Sequence, residues 1–125
     1  MREILFRGKR MDDGEWVEGY LVKAVGGECM ILPVTTEHCG GAEFSEGYHC
    51  DPTTVGQYTG LKDKHGKRIF EGDILSLQTG RPHVVMFEDG AFALENTAIP
   101  MRFANKFEVI GNIHDNQDML KGGEG

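Results

Sequence analysis

Two His-Cys neighbours, His38-Cys39 and His49-Cys50, form the densest set of metal-capable side chains in this sequence. Imidazole nitrogen and thiolate sulfur both suit zinc, and Cys2His2 is an accepted tetrahedral ligand set. A Gly-rich segment with few aliphatic residues would gain its order from such an ion. His38, Cys39, His49 and Cys50 are therefore a candidate zinc site within residues 35–50. The spacing speaks against it, because neighbours in an extended strand point to opposite faces. The plainer expectation is two surface histidines and two half-buried thiols near a hairpin. The same adjacency raises a thiol nucleophile, but nucleophile and base need hydrogen-bond reach and a third orienting group, which adjacency alone does not supply.

A second set lies in the turn after residue 61. Lys62, Lys64, Lys67 and Arg68 are flanked by Tyr58 and Phe70. Cations for phosphate beside an aromatic ring for base stacking make Tyr58, Lys62, Lys64, Lys67 and Arg68 a candidate nucleic-acid contact. Opposing this, the chain carries a formal charge of -7 and a pI near 5.1, which disfavours non-specific attraction to nucleic acid or an anionic membrane. The alternative is a solvated hairpin tip. Carboxylate neighbours such as Asp12-Asp13 and Glu88-Asp89 fall in turns, where turn chemistry accounts for them better than general acid–base catalysis. There is no phosphate-binding loop ending in Lys-Ser/Thr and no Gly-x-Gly-x-x-Gly after a strand. No catalytic residue is assigned. The expectation is a protein that is not an enzyme and needs no cofactor, zinc being the one ion with candidate ligands.

The elements that must position these residues are short. A length of 125 residues suits one domain, or two small lobes sharing a core. A hydrophobic share of 39% is enough to bury one, and 18 Gly against 4 Pro point to many tight turns between strands. No apolar stretch approaches bilayer length, and MREILFRGKR lacks a secretory hydrophobic region. An odd set of three cysteines, Cys29, Cys39 and Cys50, fits free thiols in a reducing cytoplasm.

Along the chain, Glu3–Arg7 predicts a first strand ended by Gly8, and Met11-Asp12-Asp13-Gly14 a hairpin turn. Residues 16–23 alternate with a period of two, Trp16, Glu18, Tyr20 and Val22 on one face. Cys29–Leu32 predicts a third strand stopped by Pro33. Residues 35–50 show no period and predict a long irregular loop. Asp51-Pro52 opens one helical turn, and Val55–Thr59 resumes extended chain. After the 62–67 turn come a strand before Gly72, then Ile74–Leu77, His83–Phe87, Ala91–Leu94 and Phe107–Ile113, five short strands, the count for a small SH3-like barrel. Ile74, Val84, Met86, Phe92, Leu94, Val109 and Ile113 are expected inside, with Trp16 and Tyr20 also in the core. Gln117–Leu120 predicts a short closing helix, and residues 121–125 a frayed tail.

Three blocks carry a resemblance: REILFRGKRMDDGEWVEGYL at 2–21, GQYTGLKDKHGKRIFEGDIL at 56–75 and FEVIGNIHDNQDML at 107–120. Their order and spacing resemble the YopX-like family of phage and prophage proteins. The middle block, with Tyr58-Thr59-Gly60-Leu61, Asp63, Gly66 and Glu71-Gly72-Asp73-Ile74, is the most specific. The resemblance implies a mainly β fold with a complex N-terminal part and an SH3-like C-terminal part, a phage or prophage origin, and the cytoplasm of a bacterial host. It implies no activity, catalytic residue or cofactor. The 38–50 His/Cys segment lies outside the signature. Gly and Asp at turns dominate the signature, which marks a scaffold more readily than a site.

The expected fold is thus mainly β with minimal helix: an antiparallel meander over 1–55, with its irregular 35–50 loop, packed with an SH3-like small barrel over 56–120. The expected function is a non-enzymatic protein-binding or assembly module that self-associates as a homo-oligomer, with an unidentified protein partner and no membrane. The alternatives are a small nucleic-acid-binding regulator using the 62–68 turn, and a zinc-ordered interaction module.

Overall fold

Turn chemistry sets most of the strand boundaries in a computed structural model of the chain, which describes residues 4–33, 47–77, 80–95, 97 and 99–121. The protein is mainly β, as its alternation and turns predict. The strands are β1 (Phe6–Lys9), β2 (Trp16–Lys23), β3 (Cys29–Pro33), β4 (Tyr48–Cys50), β5 (Gly56–Lys62), β6 (Arg68–Phe70), β7 (Asp73–Ser76), β8 (His83–Glu88), β9 (Ala91–Leu94) and β10 (Glu108–Asn112). Among the described residues, helix is confined to 3-10 turns at Pro52–Thr54 and Met101–Lys106 and a four-residue helix, α1 (Asp118–Lys121). Among the described residues every strand pairing is antiparallel. The chain divides into two units, Met1–Gln57 and Tyr58–Gly125, with the division inside β5.

In the first unit the strands run in the order β4-β3-β2-β1-β5. The meander also bends round on itself. Arg10, just past β1, bridges Cys50 of β4. The Met11 amide donates to the His49 carbonyl and the Asp51 amide to the Lys9 carbonyl, each at 2.9 Å. β4 is therefore hydrogen-bonded on both sides, by β3 and by the end of β1. Leu5, Cys29, Ile31 and Cys50 fill the interior of this curl.

Two glycines make the curl sterically feasible. A Cβ on Gly8 would lie 2.9 Å from Cys50 Cβ and 3.2 Å from Ile31 Cδ1. Gly8 consequently sits inside β1 and does not end it, a correction to the sequence expectation; a strand glycine marks close approach as readily as a stop. At Gly19 a Cβ would overlap the Leu32 carbonyl oxygen, which is backbone and cannot turn aside. A second correction concerns residues 35–50: Tyr48–Cys50, the last part of the expected irregular loop, form β4.

In the second unit β5 pairs with β6, and the other strands run β10-β7-β8-β9. Its core joins Ile69, Leu75, Val85, Leu94, Ala104 and Phe107. Ile74 and Val84 are buried too, so β7 and β8 are covered on both faces at their centres. Alternation identifies only one of those faces, which is why Leu75 and Val85 escaped the expected inside set. Met86, Phe92, Val109 and Ile113 are only partly buried. The stretch before β10, which carries no clear period, holds the 3-10 turn whose Ala104 reaches the core. Among the described residues no helix is long and apolar enough to cross a membrane.

The crowding at Gly19 yields a direct test. Gly19→Ala should lower the midpoint of thermal denaturation, at a cost of about 1–3 kcal/mol for forcing strand backbones apart. Gly26→Ala, where the new methyl meets nothing within 4 Å, should leave the midpoint nearly unchanged.

Candidate functional site

The basic turn is built around one carboxylate. Asp63 is only 5% exposed. Its Oδ1 accepts hydrogen bonds from the His65 amide at 2.8 Å and the Lys67 amide at 2.9 Å, and its Oδ2 accepts one from the Val109 amide at 2.9 Å. The turn closes through the Asp63 amide to the Lys67 carbonyl at 2.8 Å, and the Lys64 amide reaches the Phe107 carbonyl at 2.9 Å. One side chain thereby caps a hairpin and pins it to β10.

This arrangement also sets the electrostatics of the turn. Lys62, Lys64 and Lys67 are exposed and Arg68 is half-buried. Glu108 lies beside Lys64 and His65, with Oε1 4.0 Å from Lys64 Nζ and Oε2 3.6 Å from His65 Nε2. Tyr58 is buried, its ring tilted against Phe70 with centroids 5.5 Å apart, and the Arg68 guanidinium lies 5.7 Å from its centroid. The ring proposed for base stacking is a core ring, and its cationic neighbour is already seated on it.

His49 and Cys50 are adjacent in β4 and point apart: His49 is exposed, with Nδ1 3.9 Å from Glu28 Oε1, while Cys50 is buried. His38 and Cys39 lie outside the described residues. Among the described residues, no three His, Cys, Asp or Glu side chains gather where they could hold a metal ion.

The surface that sequence alternation misplaced is one face of β2. Tyr20 is 55% exposed and Val22 is 47% exposed, so Tyr20 is a surface residue and not core. Their strand neighbours across the sheet, Leu32 and Met30, are only partly buried. At the other end of this face Trp16 stands opposite Lys9. The Arg7 guanidinium lies 4.8 Å and the Lys9 ammonium 5.8 Å from the Trp16 ring centroid, both within cation–π range. Arg10 packs 3.9 Å from the Tyr48 ring centroid while it pairs with Asp12 at 3.1 Å. A period of two identifies two faces but not which is covered. The closing of the curl over Gly8, Ile31 and Cys50 covers the other one.

Burial acts most strongly on Asp63 and pushes its carboxyl up, but the Val109, Lys67 and His65 amides, with His65 nearby, together outweigh it and hold the group below the usual carboxylate range. A carboxyl lowered on folding contributes stability that is present above its unfolded value, about 4, and is lost as pH falls through the folded value. Thermal denaturation followed from neutral pH into this acid range should show the midpoint falling. In Asp63→Asn, an amide nitrogen would face one of the backbone donors. That variant should be less stable at neutral pH by about 1–3 kcal/mol and should show a flatter acid dependence.

No curated protein matches the sequence. Among solved structures, the fold is similar to protein EF1440 from Enterococcus faecalis, with a TM-score of 0.65 and 26% identity, covering 96% of this chain and 99% of that one. The YopX protein family matches residues 5–121, a span that holds the Asp63 turn, the curl of the first unit and nearly all of the rest. By that match this chain belongs to the YopX family.

Proposed function

We propose that this YopX-family chain is a non-enzymatic protein-binding or assembly module of phage or prophage origin, working in the cytoplasm of a bacterial host and associating with a second copy of itself. The observation that carries this reading is the exposed face of β2, where Tyr20 and Val22 lie open between Trp16 and the neighbouring Met30 and Leu32. An aromatic and aliphatic strand face left in water favours burial against a protein surface. With a formal charge of -7 on each copy, long-range electrostatics oppose self-association, so apolar contact must drive it. The nucleic-acid alternative has less support, since Tyr58 is buried and Glu108 lies against Lys64 of the turn. The zinc-ordered module has less as well, because His49 and Cys50 face opposite ways.

Light scattering across a concentration series tests this. The expected result is a homo-oligomer that persists or strengthens as salt screens the mutual repulsion, and that Tyr20→Glu with Val22→Glu reduces to monomer without loss of β structure by circular dichroism. A monomeric mass at every concentration would sink the self-association. Binding of labelled DNA or RNA that weakens steeply with salt would replace this reading with the regulator.

A further inference from the structure

The covered face of the same sheet sets two thiols opposite each other. Cys29 of β3 and Cys50 of β4 are register partners, so their side chains project from the same face. Both are free thiols, 3% and 2% exposed. Directly opposed residues of an antiparallel pair have Cα atoms about 4.5–5.5 Å apart, within the range of about 4.4–6.8 Å that a disulfide spans. Each sulfur now donates to the carbonyl two residues before it, Cys29 Sγ to Gly27 at 3.9 Å and Cys50 Sγ to Tyr48 at 3.4 Å. His49 is the neighbour of Cys50 in sequence, whereas pairing across strands unites Cys50 with a cysteine 21 positions away.

We propose that Cys29 and Cys50 close a reversible cross-strand disulfide, a redox-sensitive staple that locks β4 onto β3 when the surroundings turn oxidising. A low-molecular-weight disulfide such as oxidised glutathione is the oxidant. Opening of the three-residue β4 exposes one thiol, which loses its proton and attacks a sulfur of that disulfide, forming a mixed disulfide and releasing one small thiol. The second cysteine, deprotonated in turn, attacks the protein sulfur of the mixed disulfide and releases the second small thiol. Two protein thiols are oxidised to one disulfide, and one small disulfide is reduced to two thiols that take up the two protons. In the closed state burial, and next the neighbouring Cys29, push the Cys50 thiol up. Cys50 is therefore slow to react while β4 is seated, and Cys29 is shielded by its burial. The link is reversible because an excess of small thiol runs the same exchange backwards.

The test uses the full reduced chain with oxidised glutathione as the probe, followed by alkylation of remaining thiols, digestion and mass spectrometry. The expected product is an intramolecular Cys29–Cys50 link lighter by two hydrogens, with Cys39 alkylated. Its thermal midpoint should rise by several degrees and return to the starting value with dithiothreitol. Cys39→Ser should form the same link and Cys29→Ala should not; the alanine keeps the site apolar, so this loss is separable from unfolding. A bond to Cys39, a link between two chains, or no link until denaturant is added would overturn the proposal.

Discussion

Short strands end often, and each end leaves backbone amides that need an acceptor. Asp and Asn side chains meet that need throughout this protein. Asp51 accepts from the Thr53 amide, Asp63 from three amides, and buried Asp73 from the Phe70 amide at 2.8 Å. Asn112 accepts from the His114 and Asp115 amides and is itself held by Asn116 through its own amide. Were these acceptors apolar, buried N–H groups would go unpaired at a cost comparable to a large part of a small domain's stability. Asp63 matters most because its third bond reaches Val109, 46 positions along the chain, and so joins a local turn to a distant strand.

This explains why the signature blocks are rich in Asp, Asn and Gly. Asp63, Asp73, Asn112 and Asn116 occupy backbone-capping positions, and a Cβ at Gly111 would fall 2.6 Å from Asn116 Oδ1. Such residues identify a scaffold because amide geometry demands them wherever that scaffold occurs. They carry no information about a ligand. The face proposed for association lies elsewhere, in side chains such as Tyr20 and Val22 that the capping network does not use.

Much of the fold was legible residue by residue. Asp-Gly at 13–14, the Asp63–Gly66 turn and Asp51-Pro52 each act within a few residues, and the structure places turns at all three. β2, β3, β8 and β9 follow from alternation between such turns. The candidate sites were less legible. Trp16 and Tyr20 share a strand face, yet only the path of β4 beside the end of β1 decides that this face stays open. The cation–aromatic stacks on Trp16 and Tyr48 arise from cross-strand neighbours, and sequence spacing does not reveal them.

By itself the sequence determined the class of structure, because turn propensity and a two-residue period are local properties of the chain. It also determined where the cations of the 62–68 turn and the three thiols are found. The tertiary structure alone decided their use. It buried Tyr58 against Phe70, brought Glu108 to Lys64, and set Cys29 against Cys50. It also covered both faces of β7 and β8 at their centres. Each of these depends on which strand lies beside which, and that is settled by burial and backbone approach between residues far apart in sequence, for which local propensity has no term.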